Sequence, residues 1–355
     1  MKKSGNDVVL FAPDIGRLRS SASVRVVYVP TLNVRFLREY VYYITLFFYL
    51  LICQIRERAD IFYVREMGIS ITPAFAGFIL RVPHVLEING LPSVDLQNMG
   101  VGFLKSGIIK FFQYVNFLFA HKVITVSENI KSELLRVHRG SQKIVVIENG
   151  VNVDLFQPKD TGEMRRLLQV KQDCCYLIFV GSFYPHHGIY QIMRILECIV
   201  QKAPDVRLLM VGSGYLLGNT VDMAKKSGLT PYIDFPGEVE YEKVPQYINA
   251  ADAGIFFLTG IDRINGRSPL KLYEYMACGK PVVTDSTYEN FVRENNVGIV
   301  VSTEDYDGAA DAIIRLLKDR TLMNIQGENG RNLAVSAFTW GITAKKILRV
   351  CETMV

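Results

Sequence analysis

Short apolar runs alternate with longer amphipathic or apolar stretches along the whole chain. Runs rich in Val, Ile and Leu predict buried strands, and the stretches between them have the length and composition of helices. In the first half, strands are predicted at 7–12, 24–29, 60–64, 82–88, 121–127 and 143–148, and helices at 40–53, 73–80, 102–120 and 128–137.

The second half repeats the alternation. Strands are predicted at 175–180, 206–211, 233–236, 253–258, 282–284 and 298–301, and helices at 189–201, 244–251, 270–278 and 307–318, with two more helical segments around 338–340. Strand–helix alternation favours an α/β fold with a parallel sheet in each half. The polar, glycine-bearing segment 149–158 is the best boundary, so we expect domains at 1–157 and 158–335 and a C-terminal helix at 336–355.

Two predicted helices of the first half are unusually apolar. Residues 40–53 are 14 uncharged residues, short of the roughly 20 that cross a bilayer, so a buried helix is predicted there. Residues 102–120 are apolar around most of the helix, apart from Lys105 and Lys110. Two interpretations of this helix are open: a buried helix whose lysines extend to solvent, or a patch that binds a membrane surface.

Charge separates the two halves. Residues 1–157 carry 18 Lys and Arg against 12 Asp and Glu, whereas residues 158–355 carry 22 against 23. The basic excess favours an anionic partner or surface for the first half, but it is too small to indicate nucleic acid, and no nucleic-acid-binding motif is present. The six cysteines include no C-x-x-C pair, which is typical of reduced core thiols in a cytosolic protein. A signal peptide is not expected, because Lys2 and Lys3 precede only a short apolar run.

The segment 267–284 contains the strongest candidate chemistry. Ser268 and Pro269 predict a helix N-cap and first helical residue, and Gly279 predicts the helix end. Lys271 then lies in the first turn, where a cation opposes the helix dipole by about 0.3–1 kcal/mol. A bound phosphate would remove that conflict, because helix N-termini bind anions.

Glu274 lies one turn after Lys271 on the same face of the predicted helix. A carboxylate there could accept hydrogen bonds from the hydroxyls of a sugar or ribose. An ordinary amphipathic helix with a surface Lys–Glu pair explains the same spacing, and both interpretations are open.

Three other segments are candidates. The loop 181–188 joins a strand to a helix, as in phosphate-binding loops, and His187 lies at the mouth of that helix. The glycines Gly212 and Gly214 follow another strand, but Leu217 departs from the dinucleotide-binding pattern. Glu87 and Asn89 end a parallel strand, where ligands of such sheets gather, although this segment could equally be a simple turn.

Taken together, these segments resemble the family 4 retaining glycosyltransferases. The matching segments of the second half are V-I-E-N-G-V-N-V-D-L-F-Q-P (146–158), F-V-G-S-F-Y-P-H-H-G (179–188), L-M-V-G-S-G (209–214), F-P-G-E-V-E-Y-E-K-V-P-Q-Y-I-N-A-A-D (235–252), S-P-L-K-L-Y-E-Y-M-A-C-G-K-P-V-V (268–283) and F-T-W (338–340). The first half is similar mainly through A-D-I-F-Y-V-R (59–65) and V-P-H-V-L-E-I-N-G (82–90). The resemblance implies the GT-B fold, in which two Rossmann-like domains face each other across a cleft.

The resemblance also implies roles for particular residues. The donor diphosphate would contact Lys271 and the loop 181–188, including Gly181, Ser182, His187 and Gly188. The ribose would bind Glu274, and the base would lie beside Gly212 and the segment from Gly237 to Val239. The transferred sugar would contact the loop 266–270, including Arg267, Ser268 and Leu270. Lys271, Glu274 and Arg267 are the predicted catalytic residues. Glu87 and Asn89 are candidates on the acceptor side, and the C-terminal helices are expected to cross back to the first domain.

The chain departs from the family pattern at four places. Gly266 stands where the family often has a glutamate eight residues before Glu274. A branch of the family with S-P-x-K also lacks this glutamate, and the chain resembles that branch. His187 and Asn89 stand where the family often has lysine and histidine, respectively. The usual first strand and its glycine-rich loop are expected to be missing, because the chain begins near the second strand. Because Lys271 and helix N-termini would stabilise the leaving diphosphate, no metal or other cofactor is expected to be required.

The leading hypothesis is a retaining glycosyltransferase that transfers a sugar from a nucleotide diphosphate-sugar to a lipid-linked or polysaccharide glycan. It would be cytoplasmic, peripheral on the inner face of the membrane, and without a nucleic-acid partner. Two alternatives are open: a non-catalytic GT-B protein that binds nucleotide or glycan and supports another enzyme, and another GT-B enzyme such as a nucleotide-sugar epimerase.

Overall fold

A computed structural model describes residues 5–15, 24–32, 34, 37–66, 70–90, 103–137, 142–260 and 268–355, with the side chains of 103–105 and 137 left out. The chain forms two compact units, the first made of Met1–Ile147 with Ala344–Val355 and the second of Glu148–Thr343. The division therefore falls after Ile147, whereas the sequence predicts it after Gln157.

The first unit holds two parallel sheets in its described part. One contains β1 (Val9–Pro13) and β2 (Arg25–Val29), and the other contains β3 (Phe62–Arg65), β4 (His84–Ile88), β5 (Lys122–Thr125) and β6 (Ile144–Val146) in that spatial order. Its helices are α1 (Arg38–Glu57), α2 (Thr72–Leu80), α3 (Phe103–Phe119) and α4 (Glu128–Val137).

Helix α1 corrects one prediction. The apolar stretch 40–53 was expected to be buried, but only the stripe Tyr42, Leu46 and Leu50 is buried. These residues recur every four positions and pack against Phe62 of β3 and Ala76 of α2. The prediction was wrong because a single layer of neighbours covers only one face of the helix.

The second unit is built on one six-stranded parallel sheet. Its strands, in spatial order, are β12 (Gly298–Val300), β11 (Val282–Thr284), β10 (Ala253–Ile255), β7 (Cys175–Val180), β8 (Val206–Val211) and β9 (Ile233–Gly237). Its helices are α5 (Thr161–Leu168), α6 (Ile189–Lys202), α7 (Leu217–Lys226), α8 (Val244–Ala250), α9 (Leu270–Ala277), α10 (Glu289–Asn295), α11 (Tyr306–Lys318) and α12 (Arg320–Ala337). The final helix α13 (Trp340–Glu352) begins in the second unit and ends in the first.

Strand β7 is buried on both faces of this sheet. Leu177 and Phe179 belong to one hydrophobic cluster, and the alternate residues Tyr176 and Ile178 belong to another. Side chains of a strand alternate between faces, so helices must cover both sides of the sheet. This burial holds the loop that follows Val180 at the carboxyl edge of the sheet.

Candidate active site

Helix α9 begins at Leu270, and its N-cap lies one residue later than the predicted Ser268. Pro269 occupies the N-cap position and no side chain caps the helix. The Ser268 hydroxyl instead shares a hydrogen bond of 2.9 Å with the Tyr273 hydroxyl and accepts the Asn149 backbone N–H at 3.2 Å. The predicted Ser268 cap is therefore wrong, because buried polar neighbours compete for its hydroxyl. The backbone N–H groups at the start of α9 receive no side-chain cap.

The end of α9 confirms the predicted glycine. Gly279 has φ of +68°, the left-handed conformation that favours glycine. Its N–H donates to the Met276 carbonyl at 2.9 Å, and the Lys280 N–H donates to the Tyr275 carbonyl at 3.0 Å. This pair of bonds is the Schellman motif, which turns the chain directly into β11.

Lys271 lies buried in the first turn of α9. Its Nζ has no hydrogen-bond partner in the described part of the chain and lies 4.4 Å from the centre of the Phe179 ring. Burial lowers the pKa of Lys271 to about 7, and the nearby Glu274 carboxylate opposes this shift. A buried amine without a partner is unfavourable, and a bound anion would supply both its hydrogen bond and its counter-charge.

Gly181 places the predicted phosphate loop directly against Lys271. A Cβ atom at position 181 would lie 2.8 Å from the Lys271 Nζ, and the residue has φ of +141°. The Gly181 N–H donates to the Val211 carbonyl at 3.0 Å, which holds the loop at the end of β7. The absence of a side chain here leaves the Lys271 amine in close reach of the loop backbone.

Glu274 is buried one turn further along α9. Burial raises the pKa of Glu274 to about 7, while a hydrogen bond from the Tyr241 hydroxyl and the charge of Lys271 act in the opposite direction. The Tyr241 ring packs at 5.3 Å from that of the fully buried Phe156. Tyr241 was not predicted, because nothing in the local sequence links it to Glu274.

Three glycines predicted at the donor site meet at one point. The Gly212 N–H donates to the Gly237 carbonyl at 2.8 Å, and Gly212 has φ of +130°. A Cβ on Gly212 would lie 2.0 Å from the Gly181 carbonyl oxygen, so a side chain does not fit unless the backbone moves. The ends of β7, β8 and β9 therefore approach each other only because these residues are glycines.

We expect Gly212→Ala to lower the free energy of unfolding by about 2–3 kcal/mol, from left-handed strain plus the clash with Gly181. Urea unfolding measures this. Gly228→Ala is the matched control, because Gly228 also has positive φ, at +67°, but no atom lies within 4 Å of its added Cβ. Equal losses in the two variants would show that the close approach to Gly181 is unimportant.

His187 folds back onto its own loop. Its Nδ1 lies 2.6 Å from the Ser182 carbonyl oxygen, and Gly188 follows with φ of +62°. A Cβ on Gly188 would lie 2.6 Å from the Phe257 Cβ, so glycine is required for α6 to begin here. His187 thus braces the predicted phosphate loop from the side of its carbonyl groups.

The other predicted residues are distributed as follows. Leu270 is exposed at the start of α9, and Val239 packs partly buried against the core beside α8 and α9. Gly266 and Arg267 lie outside the described residues. Within the described ranges, no group of three or more His, Cys, Asp and Glu side chains could hold a metal ion.

The acceptor-side candidates meet in the first unit. The Glu87 carboxylate accepts a hydrogen bond from the Asn89 side-chain amide at 2.7 Å and another from the Tyr63 hydroxyl at 2.8 Å. The Asn89 Oδ1 is buried and has no partner among the described residues. Burial and the Glu87 carboxylate raise the pKa of Tyr63, so its hydroxyl keeps its proton. Tyr63 was not predicted, although it lies inside a segment that resembles the family.

Two models of known protein families match the chain, one over each half. Residues 1–155 match the family model described as Glycosyltransferase Family 4, and residues 160–333 match the model described as Glycosyl transferases group 1. The chain belongs to the family 4 glycosyltransferases.

One curated relative is a phosphatidyl-myo-inositol mannosyltransferase of Mycobacterium leprae, 30% identical over 216 residues. The match covers 59% of this chain and 54% of that relative. The chain thus spans between 54 and 59% of the length of two curated relatives that it matches.

Solved structures are similar over nearly the whole chain. A sucrose-phosphate synthase from Thermosynechococcus elongatus has a TM-score of 0.78 at 20% identity, covering 99% of this chain and 90% of that one. Anabaena HepE in complex with UDP has a TM-score of 0.74 at 18% identity, covering 93% and 86%. These likenesses show the fold, which is GT-B with parallel α/β sheets in two domains, as the sequence predicts.

Proposed function

We propose that this protein is a retaining glycosyltransferase that uses a nucleotide diphosphate-sugar as donor and a lipid-linked or polysaccharide glycan as acceptor. The observation that carries the proposal is the Nζ of Lys271, which is buried in the first turn of α9 beside Gly181 and has no hydrogen-bond partner among the described residues. A cation, a helix N-terminus and an accessible loop backbone form a site for a diphosphate group.

Glycosyl transfer needs this site when the bond between the sugar and the diphosphate breaks. Negative charge then develops on the leaving diphosphate, and donors fixed in advance stabilise it more strongly than they stabilise the intact donor. Lys271 would supply the charge and the start of α9 would supply N–H groups, with the loop 181–188 beside them. Within that loop, the N–H groups of Gly181, Phe183, Tyr184 and His187 already donate to backbone carbonyls. The HepE structure is a complex with UDP, which supports a nucleotide diphosphate in this fold.

Glu274 would bind the ribose of the donor. Its carboxylate lies one turn beyond Lys271, and Tyr241 already donates one hydrogen bond to it. Ribose hydroxyls would donate to its remaining lone pairs, with Gly212 and Val239 bordering the base. Ser268, Leu270 and Arg267 remain proposed contacts of the transferred sugar, and Arg267 and Lys271 with Glu274 remain the proposed catalytic residues.

The first unit would bind the acceptor. Glu87 and Asn89, with Tyr63, form a polar cluster at the carboxyl end of β4, and the Asn89 Oδ1 is free to accept an acceptor hydroxyl. The mannosyltransferase relative is named for phosphatidyl-myo-inositol, which supports a lipid-linked acceptor. A peripheral location on the cytoplasmic face of the membrane is part of the proposal.

The test is turnover with a panel of UDP-, GDP- and ADP-sugars in the presence of a membrane lipid extract. We expect Glu274→Gln to lower kcat/KM for the accepted donor by roughly 10- to 100-fold, the worth of a charge-assisted hydrogen bond. Glu289→Gln is the control, because Glu289 only forms an exposed ion pair with Arg293. The anomeric configuration of the product, read by NMR, tests retention.

Each other outcome has a defined meaning. Donor binding without turnover on any acceptor would indicate a non-catalytic GT-B partner, and release of a rearranged free sugar would indicate an epimerase. Turnover that Glu274→Gln leaves unchanged would overturn the assignment of the ribose site.

A further inference from the structure

Helix α1 carries a second apolar stripe opposite the buried one. Tyr40, Ile44, Phe48, Ile52 and Ile55 recur every three or four residues, and their side chains are 48 to 79% exposed. Such spacing places them on one face of the helix. Leaving these side chains in water is unfavourable, and an exposed apolar surface of this extent marks an interaction site.

Helix α2 continues this surface beside α1. Phe75 and Phe78 are exposed, and the Phe75 ring stacks on Phe47 of α1 with centroids 5.8 Å apart. On the far side of α2, Phe78 contacts Phe119 of α3 at 5.4 Å. The exposed apolar residues of α1 and α2 therefore form one continuous surface, which reaches α3 through Phe78.

Helix α3 completes the surface with Ile108, Phe111 and Leu118, all exposed. We use "the apolar face" for the exposed residues of α1, α2 and α3 named in this and the two preceding paragraphs. Of the two interpretations left open for 102–120, the exposure of these side chains favours a surface patch over a buried helix. Among the described residues, none of the helices is long and apolar enough to cross a membrane.

Basic side chains border the apolar face. Arg58 ends α1 and Arg81 ends α2, both exposed and both in the left-handed conformation, with φ of +49° and +57°. Glycine is favoured at such positions, and another residue costs about 1 kcal/mol. A third exposed cation, Lys110, lies on α3.

Charge is divided sharply between the two units. The first unit contains 21 Lys and Arg against 11 Asp and Glu, whereas the second contains 19 against 24. Near α1, the Glu57 carboxylate is paired with Arg25 at 2.7 Å, and Glu39 is exposed at the start of the helix. The unit that bears the apolar face is thus also the cationic one, which complements an anionic surface.

We propose that the apolar face is a docking surface for an anionic lipid bilayer. Its aromatic and aliphatic side chains lie in the headgroup region, parallel to the membrane, while Arg58 and Arg81 contact lipid phosphates. This inference rests on the peripheral location in the proposed function and specifies the surface that provides it. It concerns only the first unit and is tested without turnover, so its failure is distinguishable from failure of the donor reaction.

The first test is co-sedimentation of the full chain with vesicles. We expect binding to vesicles of phosphatidylcholine with phosphatidylglycerol, weaker binding to phosphatidylcholine alone, and release by high salt. The double variant Phe48→Ser, Phe78→Ser should reduce binding at least about tenfold, because it removes two exposed aromatic anchors. Tyr190→Ser, Tyr215→Ser is the matched control, since these exposed tyrosines lie in the second unit.

The double variant Arg58→Gly, Arg81→Gly distinguishes a loss of charge at the apolar face from a loss of stability. Glycine relieves the backbone strain, so thermal stability should hold or rise while the preference for anionic vesicles is lost. A second copy of the chain is the rival occupant of the apolar face. Concentration-dependent dimers in analytical ultracentrifugation that Phe48→Ser, Phe78→Ser dissociates, with no vesicle binding by the original protein, would overturn the proposal.

A spectroscopic test locates the contact. The chain has one tryptophan, so Phe48→Trp in a Trp340→Phe background places the only indole on the apolar face. Vesicles with brominated acyl chains should quench its fluorescence. Tyr215→Trp in the same background reports on the second unit and should not be quenched. Equal quenching of both, or of neither, contradicts docking through the apolar face.

Discussion

Replacing Lys271 by methionine should abolish binding of nucleoside diphosphates and, at the same time, stabilise the ligand-free protein. Methionine keeps the length of the side chain but removes the buried amine, for which the described part of the chain supplies no hydrogen-bond partner. We expect affinity for UDP or GDP to fall at least about 100-fold, the scale of a lost charge-assisted contact. The free energy of unfolding should rise by roughly 2–4 kcal/mol at pH 7.

The sign of this effect follows from the pKa of Lys271. In the folded protein the amine loses its proton at about pH 7, whereas in the unfolded chain it does so near 10.5. The unfolded state therefore binds more protons between pH 7 and 10.5, and the contribution of Lys271 to stability rises with pH across that window. Denaturant unfolding at pH 7 and at pH 9.5 should show a steeper rise of stability in the original protein than in Lys271→Met. The variant keeps Lys280, whose pKa is also lowered by burial.

Ligand binding has the opposite linkage. A diphosphate beside Lys271 favours the charged amine and raises its pKa, so binding at pH 8 should take up a proton. Calorimetry in buffers of different ionisation enthalpy measures that uptake, and affinity should decline as pH rises above 7. Binding without proton uptake, or uptake that persists in Lys271→Met, would contradict the phosphate assignment.

Lys280→Met is the matched control. Lys280 is also buried, but its Nζ donates to the Thr161 hydroxyl at 3.1 Å and to the Asn249 carbonyl at 3.2 Å. Its removal breaks those hydrogen bonds, so the variant should be destabilised and should bind nucleotide normally. The two buried lysines thus differ in whether the described residues supply a hydrogen-bond partner for the amine: they do for Lys280 and not for Lys271.

This difference marks how far the sequence could predict the site. The capping glycine Gly279, the strand–loop–helix arrangement around 181–188 and the placement of Lys271 and Glu274 one turn apart all follow from local spacing. Phe179, which lies against Lys271, and Tyr241, which contacts Glu274, come from distant segments. Nothing short of the folded sheet brings them together, so single-sequence reasoning missed them.

The fold shows the same limit. Long apolar or alternating runs predicted every strand of the six-stranded sheet, because burial on both faces demands continuous apolar sequence. Helices α5, α7 and α10 were missed, although Asp160 caps α5 by accepting the Glu163 N–H at 2.7 Å, a recognisable start signal. The predicted burial of 40–53 was wrong because composition shows that a helix is apolar, and not how many of its faces have neighbours.

The largest effect on stability is expected at Arg165 of α5, far from the chemistry. Its guanidinium donates to the carbonyls of Ala250 and Cys174, each at 2.9 Å, and contacts the Asp252 carboxylate at 2.7 Å. The same Asp252 oxygen accepts the Tyr176 backbone N–H at 2.7 Å, which ties the pair to β7. Both side chains are almost fully buried, at 8% and 5% exposed.

Arg165→Met should therefore lower the free energy of unfolding by about 3–5 kcal/mol, because Asp252 keeps a buried charge and loses its principal partner. Urea unfolding measures the loss, and the slope with urea should be unchanged. Arg293→Met is the control: its ion pair with Glu289 is exposed, at 67% and 42%, and its removal should change stability by less than about 1 kcal/mol. The double variant Arg165→Met, Asp252→Asn should recover part of the loss, since it removes the stranded charge. If Arg165→Met lowers the free energy of unfolding no more than Arg293→Met does, Arg320, which lies 3.1 Å from Asp252, is a sufficient partner for the Asp252 charge.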